Sequence, residues 1–177
     1  MSSEQLQLRR EVTREDMEKL REWMRDERIT DHLNEDQDIG ETLARVIEES
    51  PLPIFTPRLN SDGRFFLLTL PGEGPVGFLR LAARPKTAEM VVVIGKPHLW
   101  GRGYGLEAVR KGLHHAFFTW RKERVVAKIK KSNRRSRRLF RRAGFTKDRD
   151  LEEEEKLSIA LEDVLTRECP ERVGGTH

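Results

Sequence analysis

The order of residue patterns predicts an α/β (α+β) domain with a mixed, mainly antiparallel central sheet and helices on both faces. Three observations carry this. A dense turn signal, Pro71-Gly72-Glu73-Gly74-Pro75, separates two runs of β-formers at 64–70 and 76–82, which reads as an antiparallel hairpin. The next run, Met90-Val91-Val92-Val93-Ile94, is apolar without alternation, as in a strand covered on both faces. A glycine-rich loop and a segment of helical period follow that strand.

Each element has its own signal. Residues 6–12 read as a short strand with Leu6 and Leu8 on one side. Thr13 followed by Asp16 is an N-cap signal for a helix over 14–26, whose Met17, Leu20, Trp23 and Met24 share one face. A second helix is expected at 39–49, with Leu43, Val46 and Ile47 inward, ended by Pro51, Pro53 and Pro57. After the hairpin comes the strand at 89–94. A helix over 106–120 then carries Leu106, Val109, Leu113, Ala116, Phe117 and Trp120 on one stripe. A strand at 124–129 precedes a short basic helix capped by Asn133 and ended by Gly144, and a strand at 156–161 closes the sheet. Trp23, Phe55 and Phe66 are expected in the core.

The 177 residues fit one domain over 1–165, with a flexible tail at 166–177. Although 36% of residues are charged, eight Phe and three Trp within periodic blocks argue against disorder. No run approaches the roughly 20 apolar residues of a membrane helix, and the first residues lack the apolar core of a signal peptide, so a cytoplasmic location is expected. Cys169 is the only cysteine and the five histidines lack ligand spacing, so neither a disulfide nor a metal site is expected. The formal charge of +4 hides an asymmetry: residues 121–149 hold 14 basic and 2 acidic side chains. Such a concentrated positive field should face an anion.

Gly101, Gly103 and Gly105, set between a strand and a helix, leave backbone N–H groups uncovered at the positive end of a helix dipole, which suits a phosphate. A P-loop is excluded, because Gly95-Lys96 is not followed by Ser or Thr. Gly103-Tyr104-Gly105-Leu106-Glu107-Ala108 fits the dinucleotide pattern, with Glu123 20 residues beyond Gly103. Against that reading, eight residues including Pro97 separate Ile94 from Gly103, and only about 70 residues follow the loop, too few for a doubly wound sheet.

Residues 88–108, ending in Trp100-Gly101-Arg102-Gly103-Tyr104-Gly105-Leu106-Glu107-Ala108, resemble motif A of the GCN5-related N-acetyltransferase (GNAT) superfamily. Asn133-Arg134-Arg135-Ser136, with Leu139 and Ala143-Gly144-Phe145, resembles its motif B. The tryptophan-bearing loop, with Leu8-Arg9, Glu15-Asp16 and Trp23, is similar to the ribosomal-protein N-acetyltransferase branch, itself similar to some aminoglycoside acetyltransferases. The resemblance spans about residues 6–162. It implies acetyl-CoA as cosubstrate, with its pyrophosphate on the N–H groups of 102–105 and its pantetheine arm paired with the strand end at Val93, Ile94 and Gly95. Trp100, Gly101, Arg102, Gly103, Tyr104, Gly105, Asn133 and Arg138 complete the implied cofactor contacts. Trp100 stands where the family usually has Gln or Arg.

The resemblance also implies roles in catalysis. Glu89 aligns with a strand glutamate that acts as general base in some relatives, through water. Many relatives use a tyrosine acid at the position of Phe140, so the usual acid is absent, and Ser136, with Asn133 one turn earlier, takes its place as in the ribosomal-protein branch. Both polar residues could instead simply cap and solvate a short helix. Arg134 to Lys147 holds seven cations. The 3′-phosphate of CoA is one counter-ion, and RNA or ribosome contact through 121–149 is another. Asp31, Glu35, Asp36 and Asp38 could attract a cationic amine. Three functions therefore stand side by side: acetylation of a protein N-terminus, acetylation of a small polycationic amine such as a polyamine or aminoglycoside, and a non-catalytic CoA- or RNA-binding regulatory domain.

Overall fold

The computed structural model describes residues 5–31, 45, 48–49 and 56–168. Strand β1 (Gln7–Arg9) leads into α1 (Arg14–Trp23) through a capping box. Thr13 Oγ1 accepts the Asp16 N–H at 3.3 Å and Asp16 Oδ2 accepts the Thr13 N–H at 2.9 Å. Asp16, only 4% exposed, also takes the Arg9 guanidinium at 2.7 Å, so one buried carboxylate ties β1 to α1. Short helices α2 (Glu27–Thr30) and α3 (Thr56–Leu59) precede a meander of β2 (Gly63–Leu70), β3 (Gly74–Ala83) and β4 (Thr87–Ile94). A 3₁₀ turn at Pro97–Leu99 is followed by α4 (Tyr104–His114), which continues as a π turn, His115–Thr119. Next come β5 (Arg124–Lys130), α5 (Arg134–Arg142), β6 (Thr146–Asp150), β7 (Glu154–Ala160) and α6 (Leu161–Glu168).

The seven strands form one sheet in the order β1-β2-β3-β4-β5-β7-β6. Only β4 and β5 are parallel. Side-chain alternation along the strands divides the interior into two cores. Leu79, Met90, Val109, Leu113, Phe117, Phe140 and Ile159 pack on the face of α4 and α5. On the other face, α1 and α2 bring Met17, Leu20, Trp23 and Ile29 against Phe65, Phe78 and Val93.

The junction of β4 and β5 positions the site. Their pairing lasts three residues, Thr87↔Arg124, Ala88↔Val125 and Glu89↔Val126. Beyond it β4 stays with β3 as far as Ile94, while β5 follows β7 to Lys130, so the sheet opens into a splay.

Several boundaries depart from the sequence expectation. Helix α4 starts two residues early because Gly103, at φ 89°, serves as its N-cap. The expected helix at 39–49 lies largely outside the described residues, although Arg45, Glu48 and Glu49 are helical, and Phe55 also lies outside them. Strand β6, Thr-Lys-Asp-Arg-Asp, was invisible to hydropathy because every residue of this edge strand is exposed. Residues 161–168 form α6, so the part of the expected tail at 166–168 is helical.

Candidate active site

The splay opens into a cleft of about 590 Å³ between β4, the glycine loop, α5 and Ile29 of α2. Met90 to Ile94 form one wall, and Asn133, Ser136, Leu139 and Phe140 of the α5 region form the other.

One hydrogen bond fixes the phase of the β4 wall. Gly95 N–H donates to Val76 O at 2.8 Å, and the β3–β4 register is regular from there inward. In an antiparallel pair, alternate residues turn both peptide groups toward the partner. Residues 91, 93 and 95 therefore face β3, while Val92 and Ile94 present theirs to the open edge. An extended arm lying in the splay would meet Val92 and Ile94, not Val93 or Gly95. Val93 lines the cleft with its chain, but Gly95 does not line it. A Cβ on Gly95 would lie 2.2 Å from the Trp23 ring, so the glycine is required by packing from α1.

Trp100 and Arg135 close one end of the cleft. The Trp100 indole N–H donates to Ile94 O at 2.9 Å, and the Arg135 guanidinium carbon stands 3.5 Å from the centre of a Trp100 ring. Burial holds the Arg135 guanidinium below the ordinary arginine value. The segment before Trp100 is anchored from the β2–β3 turn, where Glu73 takes Lys96 at 2.9 Å. That ion pair holds the Glu73 carboxyl below its usual range.

Gly101 and Gly103 adopt φ values of 75° and 89°, and the space above both is open. The first helical bond of α4 runs from Glu107 N–H to Gly103 O, at 3.0 Å. The N–H groups of Tyr104, Gly105 and Leu106 therefore have no acceptor within the helix. They stand at its positive end, beside the cleft that these three residues line. Gly105 also lets α5 approach, since a Cβ there would come within 3.0 Å of Leu139. Arg102 is exposed and lies outside the cleft lining. This uncovered, glycine-lined cradle fits a pyrophosphate.

Asn133 caps α5: its Oδ1 accepts the Ser136 N–H at 3.0 Å. That capping role coexists with a position in the cleft wall. Ser136 lines the cleft as well, and among the described residues its hydroxyl has no hydrogen-bond partner. The arginine run divides between two faces. Arg134, Arg135, Arg138 and Arg142 line the cleft, whereas Arg137, Arg141 and Lys147 converge on Glu155 of β7 at 3.6, 2.9 and 3.9 Å. Glu155 is only 4% exposed and had not been recognised from sequence, because it lies in an acidic stretch that reads as solvated surface.

Glu89 does not line the cleft. It sits at the apex of the splay, paired with Val126, on the face shared by Val91 and Val93. Its side chain is 20% exposed, with Lys128 Nζ 3.7 Å from Oε2. Phe140 packs edge-on against Phe145 at 5.0 Å. Among the described residues no cluster suited to a metal ion occurs. No helix among them is long and apolar enough to cross a membrane.

Three comparisons bear on this arrangement. The N-acetyltransferase p20 of Bacillus licheniformis is 32% identical over 91 residues, covering 51% of each chain, so the match spans about half the length of that curated relative. The fold is similar to that of the spermidine/spermine N-acetyltransferase SpeG of Vibrio cholerae, with a TM-score of 0.73 at 17% identity, over 93% of this chain and 98% of that one. It is also similar to the aminoglycoside acetyltransferase AAC(6')-Ib solved with coenzyme A, with a TM-score of 0.71 at 18% identity, over 93% and 99% of the two chains. Residues 5–146, from the approach to β1 through both walls of the splay, match the acetyltransferase (GNAT) domain, and the chain belongs to that family.

Proposed function

We propose that the protein is an N-acetyltransferase that moves acetyl from acetyl-CoA to a primary amine by direct attack. The observation that carries this reading is the splayed cleft itself, with its open β4 edge, uncovered glycine loop and Ser136 hydroxyl on one cavity. Acetyl-CoA, when bound, supplies an acyl thioester. The N–H groups at the start of α4 hold its pyrophosphate, Arg138 and neighbouring arginines meet its remaining phosphate, and Val92 and Ile94 pair with its amide-bearing arm.

The amine must arrive neutral. As the new N–C bond forms and the C–S bond breaks, the nitrogen gives up a proton and the sulfur leaves as a thiolate, which then takes a proton from water. Glu89 receives the amine proton through water. A hydrogen bond from the Ser136 hydroxyl supports the departing thiolate. Asn133 acts by holding Ser136 in place at the helix start.

The acceptor we favour is a protein N-terminus, as in the ribosomal-protein branch. An α-amine has a pKa of about 7.7–8.0 and is partly neutral at cellular pH, whereas an alkyl amine near 10.4 is not. Among the described residues the cleft lining holds Lys128 and four arginines and no carboxylate, which disfavours a polycation. A polyamine or aminoglycoside is the second reading, supported by the acidic residues Asp31, Glu35, Asp36 and Asp38, of which the last three lie outside the described residues. RNA or ribosome contact has less free charge to use than the sequence offers, because three cations of the run are committed to Glu155. The test is thiol release from acetyl-CoA with ribosomal-protein N-terminal peptides, spermidine and an aminoglycoside as acceptors. We expect a kcat/KM at least tenfold higher for a peptide. The reverse order assigns a small amine, and no turnover with intact CoA binding points to the regulatory domain.

A further inference from the structure

A second concavity, of about 550 Å³, lies between the end of β1 and the C-terminal half of α4. Arg10 comes to it from just after β1, Arg110, Lys111 and His114 from α4, and His115 from the start of the π turn. Among the described residues no carboxylate lines it. The nearest acidic group along α4, Glu107, is engaged with the Leu6 N–H at 3.1 Å. His115 is 8% exposed, its ring set edge-on to Phe66 at 5.1 Å and to Trp120 at 5.3 Å. Its Nε2 is buried without a hydrogen-bond partner among the described residues, and so is Nε of Arg64 on β2.

A bland account would have these cations complement the negative end of a helix dipole. That account fails on two points. Arg64 comes from β2 and Arg10 from the chain just after β1, and the helical path does not end at His114 but runs on through the π turn to Thr119. Like charges gathered without a counter-charge destabilise the folded chain, so the cluster requires an anion to justify its cost. Burial, and then the positive groups facing it, Arg64, Arg10 and His114, hold the His115 imidazole below the ordinary histidine value.

We propose that this groove is a second anion site, which takes the phosphate group of a small molecule, either inorganic or carried by a nucleotide. It is separate from the acetyl-CoA cradle. The groove residues begin six positions beyond Tyr104 on α4, and His114 lies ten beyond it, roughly 15 Å along the axis at a rise of 1.5 Å per residue. A dianion seated between Arg10, Arg110 and Lys111 offsets the positive charge around His115 and so favours its protonation.

The test is NMR titration of the His114 and His115 ring signals in the full chain, at constant ionic strength. Signals are assigned with His115→Gln and, should that buried change prevent folding, with the exposed His114→Gln. Inorganic phosphate, pyrophosphate and ADP are added in turn, with chloride as control. We expect a saturable response in which the His115 midpoint rises by about 1 pH unit, a tenfold gain in proton affinity. The response should vanish in an Arg110→Gln/Lys111→Gln variant that still binds acetyl-CoA normally. A response to phosphate or pyrophosphate supports an inorganic ligand, and one confined to ADP supports a nucleotide. A linear response equal to that of chloride, one that survives the double substitution, or one elicited only by RNA overturns the proposal. Because the readout is local to the groove, failure here leaves the acetyltransferase reading intact, and failure of that reading leaves this one standing.

Discussion

Gly95 and Trp100 are five positions apart, and each is fixed by a contact that no local pattern announces. Gly95 looks like part of a phosphate-binding glycine series, but it is constrained by the Trp23 ring 2.2 Å from where a Cβ would sit. Gly95→Ala should therefore destabilise the protein by about 1–3 kcal/mol through overpacking, measured by urea denaturation, and an unchanged midpoint would contradict the contact. The roles of Asn133 and Ser136 separate in the same way. Asn133→Ala removes a cap and should cost about 1 kcal/mol. Ser136→Ala should leave the urea midpoint in place and lower kcat by tenfold or more, because its hydroxyl is free to serve the leaving sulfur; equal kcat in both proteins would remove it from the mechanism. The identity of these residues was legible from motif B. That Val92 and Ile94, and not Val93 and Gly95, offer their peptide groups to the cleft was not, since an all-apolar strand carries no periodicity from which to read its phase.

Helix α5 shows how an element resolves a charge problem posed by its sequence. Nine residues include six arginines, an arrangement that repels itself on an isolated helix. In the fold Glu155 takes Arg137 and Arg141, while Arg134, Arg135, Arg138 and Arg142 line the cleft, where a bound anion would meet them. Glu155→Gln should lower stability by about 1–3 kcal/mol, because a buried, charge-assisted contact is lost while its partners stay half-exposed. A parallel loss of acetyl-CoA affinity is expected, as α5 loses its anchor to β7; thermal melting with and without acetyl-CoA measures both. The strand, loop and helix around Gly103 were readable because each has a local signal. Strand β6 and the Glu155 cluster were not, for the one is wholly exposed and the other depends on pairing across strands.

At the scale of the whole molecule, the sheet is the device: three residue pairs join β4 to β5, and everything beyond them opens for the cosubstrate. Sequence gave the hairpin and the buried strand, but a splay depends on where pairing stops, which strand propensity does not encode. The fold also sets a pH dependence. His115 has a folded-state pKa below its unfolded value of 6.5, so the unfolded chain binds the extra proton and stability rises with pH. Its contribution is whole above 6.5 and is lost as pH falls below that value, so the urea midpoint should decline between pH 7 and 5, and His115→Phe should flatten that slope. An identical slope in the variant would assign the effect to other groups. The central claim is that the glycine loop and splay hold acetyl-CoA. Calorimetry of acetyl-CoA binding to the wild type and to Gly103→Trp, whose side chain projects into open space above the loop, tests it most directly. The account predicts micromolar binding by the wild type and none by the folded variant; absence of binding by the folded wild type, or equal binding by both, would contradict it.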